Sequence, residues 1–181
     1  MHSHIIFRSI CAVALITTAA CTATPGGGTI PLGTGSAGVT LRSASGETVG
    51  NATLRESNVG LLINGSVSGL PAGTHAIHVH TVGQCTPTFA AAGGHYNPAG
   101  RQHGFLNPNG HHAGDLPNLH VPSSGNLTFE LTLPNVRLGG NDGLLDADGA
   151  SLVVHAAADD YRTDPAGASG DRIACGVLMA R

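Results

Sequence analysis

The imidazoles are the side chains of this sequence that could do chemistry. Eleven His stand in a chain of 181 residues of which only 10% are charged, and eight of them fall between His75 and His120. Such an excess hints at metal, because neutral imidazole is the commonest side-chain ligand. His78 and His80 form a His-x-His pair. Residues i and i+2 of a strand share a face, so two such rings can chelate one ion. Alone, the pair is a weak motif. The wider set changes its weight. His95 lies in Gly93-Gly94-His95-Tyr96-Asn97-Pro98, His103 in Gln102-His103-Gly104, and His112 precedes Ala113-Gly114-Asp115. Three His and one Asp in a glycine-rich segment make a plausible closed tetrahedral zinc site. His155 ends the apolar run Ser151–Val154 and adds a fourth imidazole to the His78/His80 group. Four imidazoles without a carboxylate suit copper, since nitrogen ligands and tetragonal geometry favour Cu(II). If one ring serves both ions, seven side chains bind two metals.

These ligands need elements to carry them. The length allows one domain with a real core. Aromatics are 3% and Trp is absent, so Val, Leu, Ile and Ala must build that core. Many short segments rich in Gly, Thr and Val predict an all-β domain with frequent turns. Strands are expected at 39–42, at 48–55 and 59–67 around a Glu56-Ser57-Asn58 turn, and at 119–121, 127–133, 151–155 and 173–179. Thr74–Val82 alternates, with His75, Ile77 and Val79 on one side and Ala76, His78 and His80 on the other. Residues 83–118 and 159–171 carry no sustained period. A loop as long as the first is usually functional or disordered, and its histidines favour function. The expectation is eight antiparallel strands in a sandwich or flattened barrel with two long loops, without a helix or an internal repeat.

The N-terminus reads differently. Residues 1–21 combine Arg8, an apolar run from Ser9 to Ala20 and small residues before Cys21, the pattern of a signal peptide. The run is short for a membrane-spanning helix. Ala19-Ala20-Cys21 resembles a bacterial lipobox with Cys21 as the lipidated residue, although Thr18 stands where Leu is usual; ordinary cleavage near Ala20 or Ala23 is the alternative. Residues 22–36 are rich in Gly, Pro and Thr and read as a flexible tether to a domain over 37–181. Of the four Cys, Cys11 leaves with the leader and Cys21 lies at its end. Cys85 and Cys175 remain, either as one disulfide, the simpler outcome in an exported domain, or as two buried thiols. All eight basic residues are Arg and form no patch, so nucleic acid is not an expected partner.

The stretch Gly73-Thr74-His75-Ala76-Ile77-His78-Val79-His80-Thr81-Val82-Gly83-Gln84-Cys85 resembles the first signature of copper/zinc superoxide dismutases. Gly170-Asp171-Arg172-Ile173-Ala174-Cys175-Gly176-Val177 resembles the second, and Gly93–Pro98, His112–Leu119 and Val153–Tyr161 match between them. The resemblance covers residues 37–181 and implies an eight-stranded Greek-key barrel with a metal-binding loop and an electrostatic loop. It implies one copper held by His78, His80, His95 and His155, and one zinc held by His95, His103, His112 and Asp115, with His95 as the bridge. The His-x-x-Asp spacing selects His112 over its neighbour His111, which reads as exposed; His120 reads as a surface strand residue. Asp159 is expected to join His78 to His103, His75 to act as a structural hydrogen-bonding residue, and Cys85–Cys175 to be the intrasubunit disulfide.

The implied reaction is dismutation of superoxide to oxygen and hydrogen peroxide, with Arg172 guiding the anion and His95 carrying a proton. The implied setting is the periplasm or cell envelope, with a membrane tether if Cys21 is lipidated, as a homodimer or a monomer. Two features depart from the family. Ala76-Ile77 replaces the usual Gly-Phe, and the second loop has no Lys to steer the anion, leaving Arg162 and Arg101 as candidates. The rival reading is an exported metal store. Arg172 argues against it, since storage needs no anion guide.

Overall fold

A computed structural model describes residues 35–181. The expected leader, Cys21 and the expected tether up to residue 34 lie outside the described residues. The strands are β1 (Ser36–Ser43), β2 (Thr48–Ser57), β3 (Gly60–Val67), β4 (Gly73–His75), β5 (Ile77–His80), β6 (Leu119–Val121), β7 (Leu127–Pro134), β8 (Ser151–His155), β9 (Arg172–Val177) and β10 (Met179–Ala180). One 3-10 turn, Phe89–Ala92, interrupts the first long loop, where no helix was expected. The main sheet runs β5-β8-β9-β1-β2-β3-β7 with β10 beside β1, while β4 and β6 pair separately. Every pairing is antiparallel.

Alternation explains the framework. β2 and β3 pair in continuous register from Gly50↔Val67 to Ser57↔Gly60, so Glu56 and Ser57 belong to β2 and not to the expected turn. Their inward residues Leu54, Leu61 and Ile63 join Val39, Leu41, Leu133 and Leu152 in one aliphatic core. Glu56 is used differently. Its buried carboxylate accepts hydrogen bonds from the Leu138 amide (2.7 Å) and Arg137 Nη1 (3.1 Å). A third long connection, 135–150, is thereby pinned to β2, and its Leu138 and Leu144 enter the core.

The expected strand Thr74–Val82 is divided at Ala76. β4 pairs with β6, whereas β5 pairs with β8. The Ala76 amide donates to Ala157 O (2.8 Å) and its carbonyl accepts from the His155 amide (2.9 Å). These bonds turn the chain from one sheet to the other, a change that side-chain alternation does not register. Both faces of β5 are buried. Ile77 and Val79 pack into the core opposite Val154 and Leu152. His78 and His80 face the other way, and by strand parity His155 of β8 shares their side.

The first long loop lies along β5. Val79 N donates to Gly114 O (2.9 Å), Tyr96 N to Val79 O (2.8 Å) and Thr81 N to Gly94 O (3.0 Å). Isolated bridges pair His78 with Asp115 and His80 with His95. Cys85 and Cys175 are joined by a disulfide, which ties this loop to β9. Ala92, Val153 and Cys175 form a small second core beneath it, flanked by Phe89.

Candidate metal centre

Four imidazoles converge where the loop covers β5 and β8. The ligand atoms of His78, His80, His95 and His155 all lie within 4.8 Å of one another. His78 Nδ1, His80 Nε2, His95 Nε2 and His155 Nε2 are buried and have no hydrogen-bond partner among the described residues. An unsatisfied buried polar atom costs about 1–3 kcal/mol. Four such nitrogens in one place fit a cation bound between them. Each ring is turned by its other nitrogen. His78 Nε2 meets Asp159 Oδ2 at 2.9 Å, and His80 Nδ1 meets the Gly93 carbonyl at 3.0 Å. His155 Nδ1 lies 3.1 Å from Ser169 Oγ, and His95 Nδ1 lies 2.9 Å from Asp115 Oδ1. Such outer bonds fix ring orientation and tautomer.

His95, His103, His112 and Asp115 form a second group. Asp115 Oδ1 stands 2.9 Å from His95 Nδ1, 3.0 Å from His103 Nδ1 and 3.4 Å from His112 Nδ1. His112 Nδ1 and His95 Nδ1 are 3.3 Å apart. Zinc–nitrogen bonds of about 2.0–2.1 Å in a tetrahedron require ligand atoms about 3.3 Å apart, so the set fits zinc. His95 thus offers one nitrogen to each group. Asp115 is itself held, since Oδ2 accepts the Gly104 and His112 amides, both at 3.0 Å.

Asp159 stands behind both groups. Its Oδ2 pairs with His78 Nε2 and its Oδ1 with His103 Nε2, each at 2.9 Å. Gly167 closes over it at φ +67°, where a Cβ would collide with Asp159 Oδ1 and crowd His103 Nε2. Asn118, three residues after Asp115, clamps the Asp159 main chain. Its Nδ2 donates to Asp159 O (2.9 Å) and its Oδ1 accepts from Asp159 N (2.8 Å). The Asn118 amide in turn donates to the Tyr161 hydroxyl (2.8 Å). The spacing arguments missed Asn118 and Tyr161; Asn118 lies within the matching stretch His112–Leu119, the only signal that points to it.

The electrostatics suit ligation. Burial pushes the rings down, His80 to about 2, His155 to about 3 and His95 to about 4. All three are neutral near pH 7, as metal ligands must be. Burial acts on His103 in the same direction, but the carboxylates of Asp115 and Asp159 raise it to about 9. Metal therefore competes with a proton there. For Asp115 and Asp159 burial acts upward, yet the hydrogen bonds from His103 and its neighbours hold both below the usual carboxylate range.

Arg172 opens β9, across from His155. Nη1 donates to Phe89 O and Nη2 to Gly93 O, both at 2.6 Å. The guanidinium is half-buried, and burial lowers its pKa. His75, 3% exposed, sits between two carbonyls, with Nδ1 2.9 Å from His155 O and Nε2 2.9 Å from Pro71 O. It braces the backbone of a candidate ligand. His111 is exposed, its ring tilted by 57° against Phe105 at a centroid distance of 4.7 Å; His120 is exposed on β6 and bonds Thr74. Arg101 and Arg162 are both exposed, the former with Nη1 on Gly110 O (3.1 Å). Ala76 and Ile77 are fully buried without displacing either neighbouring His.

The geometry has relatives. A family model described as copper/zinc superoxide dismutase matches residues 48–178. The chain is 46% identical over 142 residues to a protein named superoxide dismutase [Cu-Zn] 2 from Aquifex aeolicus, covering 76% of this chain and 83% of that one. It is similar in structure to a superoxide dismutase-like protein from Bacillus subtilis, with TM-score 0.75 and 41% identity over 78% of this chain and 97% of the other. A copper/zinc superoxide dismutase from Brucella abortus gives TM-score 0.66 and 31% identity over 80% and 99%.

Proposed function

The chain belongs to the copper/zinc superoxide dismutase family, and from that membership we propose how its own residues divide the work of turning superoxide into oxygen and hydrogen peroxide. His78, His80, His95 and His155 hold copper. His95, His103, His112 and Asp115 hold zinc, with His95 shared. The observation that carries this reading is the set of four unpartnered imidazole nitrogens, one belonging to a ring whose other nitrogen lies in the Asp115 group.

Bound copper would supply the one-electron redox chemistry, and zinc would supply none. The residues do the rest. Arg172 draws the anion and hydrogen-bonds it, since a guanidinium fixed on two carbonyls is a preorganised donor. His95 Nε2 takes up and releases a proton, and its Nδ1, held in the Asp115 group, keeps the ring in place meanwhile. Asp159 keeps the His78 and His103 rings aimed. Two superoxide anions and two protons thus become one oxygen and one hydrogen peroxide.

All seven ligands and Arg172 come from one chain, so a monomer carries the whole site and a homodimer carries it twice. The leader read from the sequence and the disulfide agree on an oxidising compartment outside the cytosol. Lipidation of Cys21 would tether the domain to a membrane through residues 22–36. Pulse radiolysis of the copper- and zinc-loaded mature domain tests the reading. Superoxide decay far faster than in buffer is expected, and decay at the buffer rate would leave a metal store as the better account.

A further inference from the structure

We infer that Asp164 is a positioning residue for the zinc ligands, one carboxylate oxygen acting on both His103 and His112. The inference rests on the ligand reading above.

The loop after β8 sends two carboxylates towards the His103 segment. Asp159 takes the His103 ring at Nε2 (2.9 Å). Asp164 takes the same residue by its main chain, where His103 N donates to Asp164 Oδ1 at 2.6 Å. His103 is fully buried, and among the described residues this is the amide's acceptor. A buried amide left without one costs about 1–3 kcal/mol. The same Oδ1 lies 3.9 Å from His112 Nε2. That nitrogen is on the far side of the ring from Nδ1, which faces Asp115. A carboxylate behind a ligating imidazole raises its basicity and fixes its tautomer. The separation exceeds a hydrogen bond and the Asp164 side chain is 46% exposed, so this second effect is the smaller.

Asp164 is also presented by its own loop. Asp160 Oδ1 accepts the Arg162 and Thr163 amides, both at 2.8 Å, and Gly167 N donates to Thr163 O at 2.6 Å. The resulting turn projects Asp164 towards the first long loop. His103 is thus gripped at its ring and at its backbone by two residues five apart in sequence, and the second reaches towards His112 as well.

Cobalt(II) is the probe, because its visible absorption reports tetrahedral coordination. The metal-free mature protein and its Asp164→Ala and Asp164→Asn variants are titrated with cobalt against a chelator. Asp164→Ala should bind cobalt about 10–100-fold more weakly and with an altered band, the usual scale for losing a group that supports a ligand. Asp164→Asn keeps an oxygen for the His103 amide and should fall between wild type and Asp164→Ala. Equal affinity and an unchanged band in both variants would overturn the inference, even if their metal-free forms melt earlier, because that pattern marks a purely structural residue. Should Asp164→Ala not fold, Asp164→Asn decides alone, weaker binding supporting the inference and wild-type binding overturning it. A wild-type protein that shows no tetrahedral cobalt band would remove the ligand reading itself.

Discussion

Arg172 and His80 meet on one oxygen. The Gly93 carbonyl accepts from Arg172 Nη2 at 2.6 Å and from His80 Nδ1 at 3.0 Å. The bond to Nδ1 leaves His80 Nε2 facing the other three imidazoles, and the same carbonyl fixes the guanidinium beside them. Gly93 closes the 3-10 turn Phe89–Ala92, and Phe89 supplies the second carbonyl on Arg172. Arg172, the proposed anion guide, and a candidate copper ligand therefore share a support.

Arg172→Ala should lower the superoxide rate about 10–100-fold, the loss expected for a hydrogen bond to a charged group worth about 1.5–3 kcal/mol. Metal content should stay unchanged. Arg172→Lys should recover part of the rate at low salt only, because an ammonium lacks the planar fork that spans two carbonyls. Pulse radiolysis with metal analysis checks both, and metal loss in Arg172→Ala would assign Arg172 a structural role.

Asp159→Ala removes the acceptor of His78 Nε2 and of His103 Nε2 together. Copper and zinc affinities should each fall about 10–100-fold. Competition with chelators, one metal at a time, measures this; a fall confined to one metal would mean that Asp159 serves one group alone.

Cys85→Ser opens a link across 90 residues of sequence. The domain over residues 37–181 should lose about 2–5 kcal/mol in urea unfolding. Its superoxide rate should fall at equal metal content, since Arg172 leans on carbonyls of the loop that the bond anchors. A stable variant with an unchanged rate would show that the small core of Ala92 and Val153 suffices.

The metal-free protein should lose stability on both sides of neutrality. His80, His155 and His95 refuse protons that the unfolded chain accepts near pH 6.5, so stability falls as pH drops from about 6.5 towards 4. Asp115 and Asp159, depressed in the fold, add a further loss below their ordinary value of 3.8. His103 works in reverse. Raised to about 9, it contributes fully below about 6.5, and that contribution is lost as pH climbs through 9. Melting temperatures between pH 4 and 10 should trace this dome, with the acid limb displaced downward once metals are bound. A flat profile from pH 4 to 7 would contradict the buried neutral rings.

Much of this was legible in the sequence because the informative signals were short. His78-x-His80, His112-x-x-Asp115 and the Ser151–His155 run each lie within a few residues; strand parity puts His78 and His80 on one face, and the resemblance to the family joins the three segments into two sites. Alternation likewise located β2 and β3. The division at Ala76 was not legible, because alternation continues through it and only the backbone partners change. Asn118 and Asp164 escaped the spacing arguments for another reason. Their bonds reach 41 and 61 residues along the chain, where no local pattern can signal a contact.

The bonds that Val79 makes to Gly114 and Tyr96 have a consequence beyond metal. β5 ends the main sheet, and a terminal strand with open amides and carbonyls invites pairing with another molecule. The histidine-bearing loop occupies that margin through its backbone, so the segment that carries the candidate ligands keeps the sheet from recruiting neighbours. Stripping the metals should loosen this seal and make self-association depend on occupancy, linking solubility to the ions that drive the chemistry.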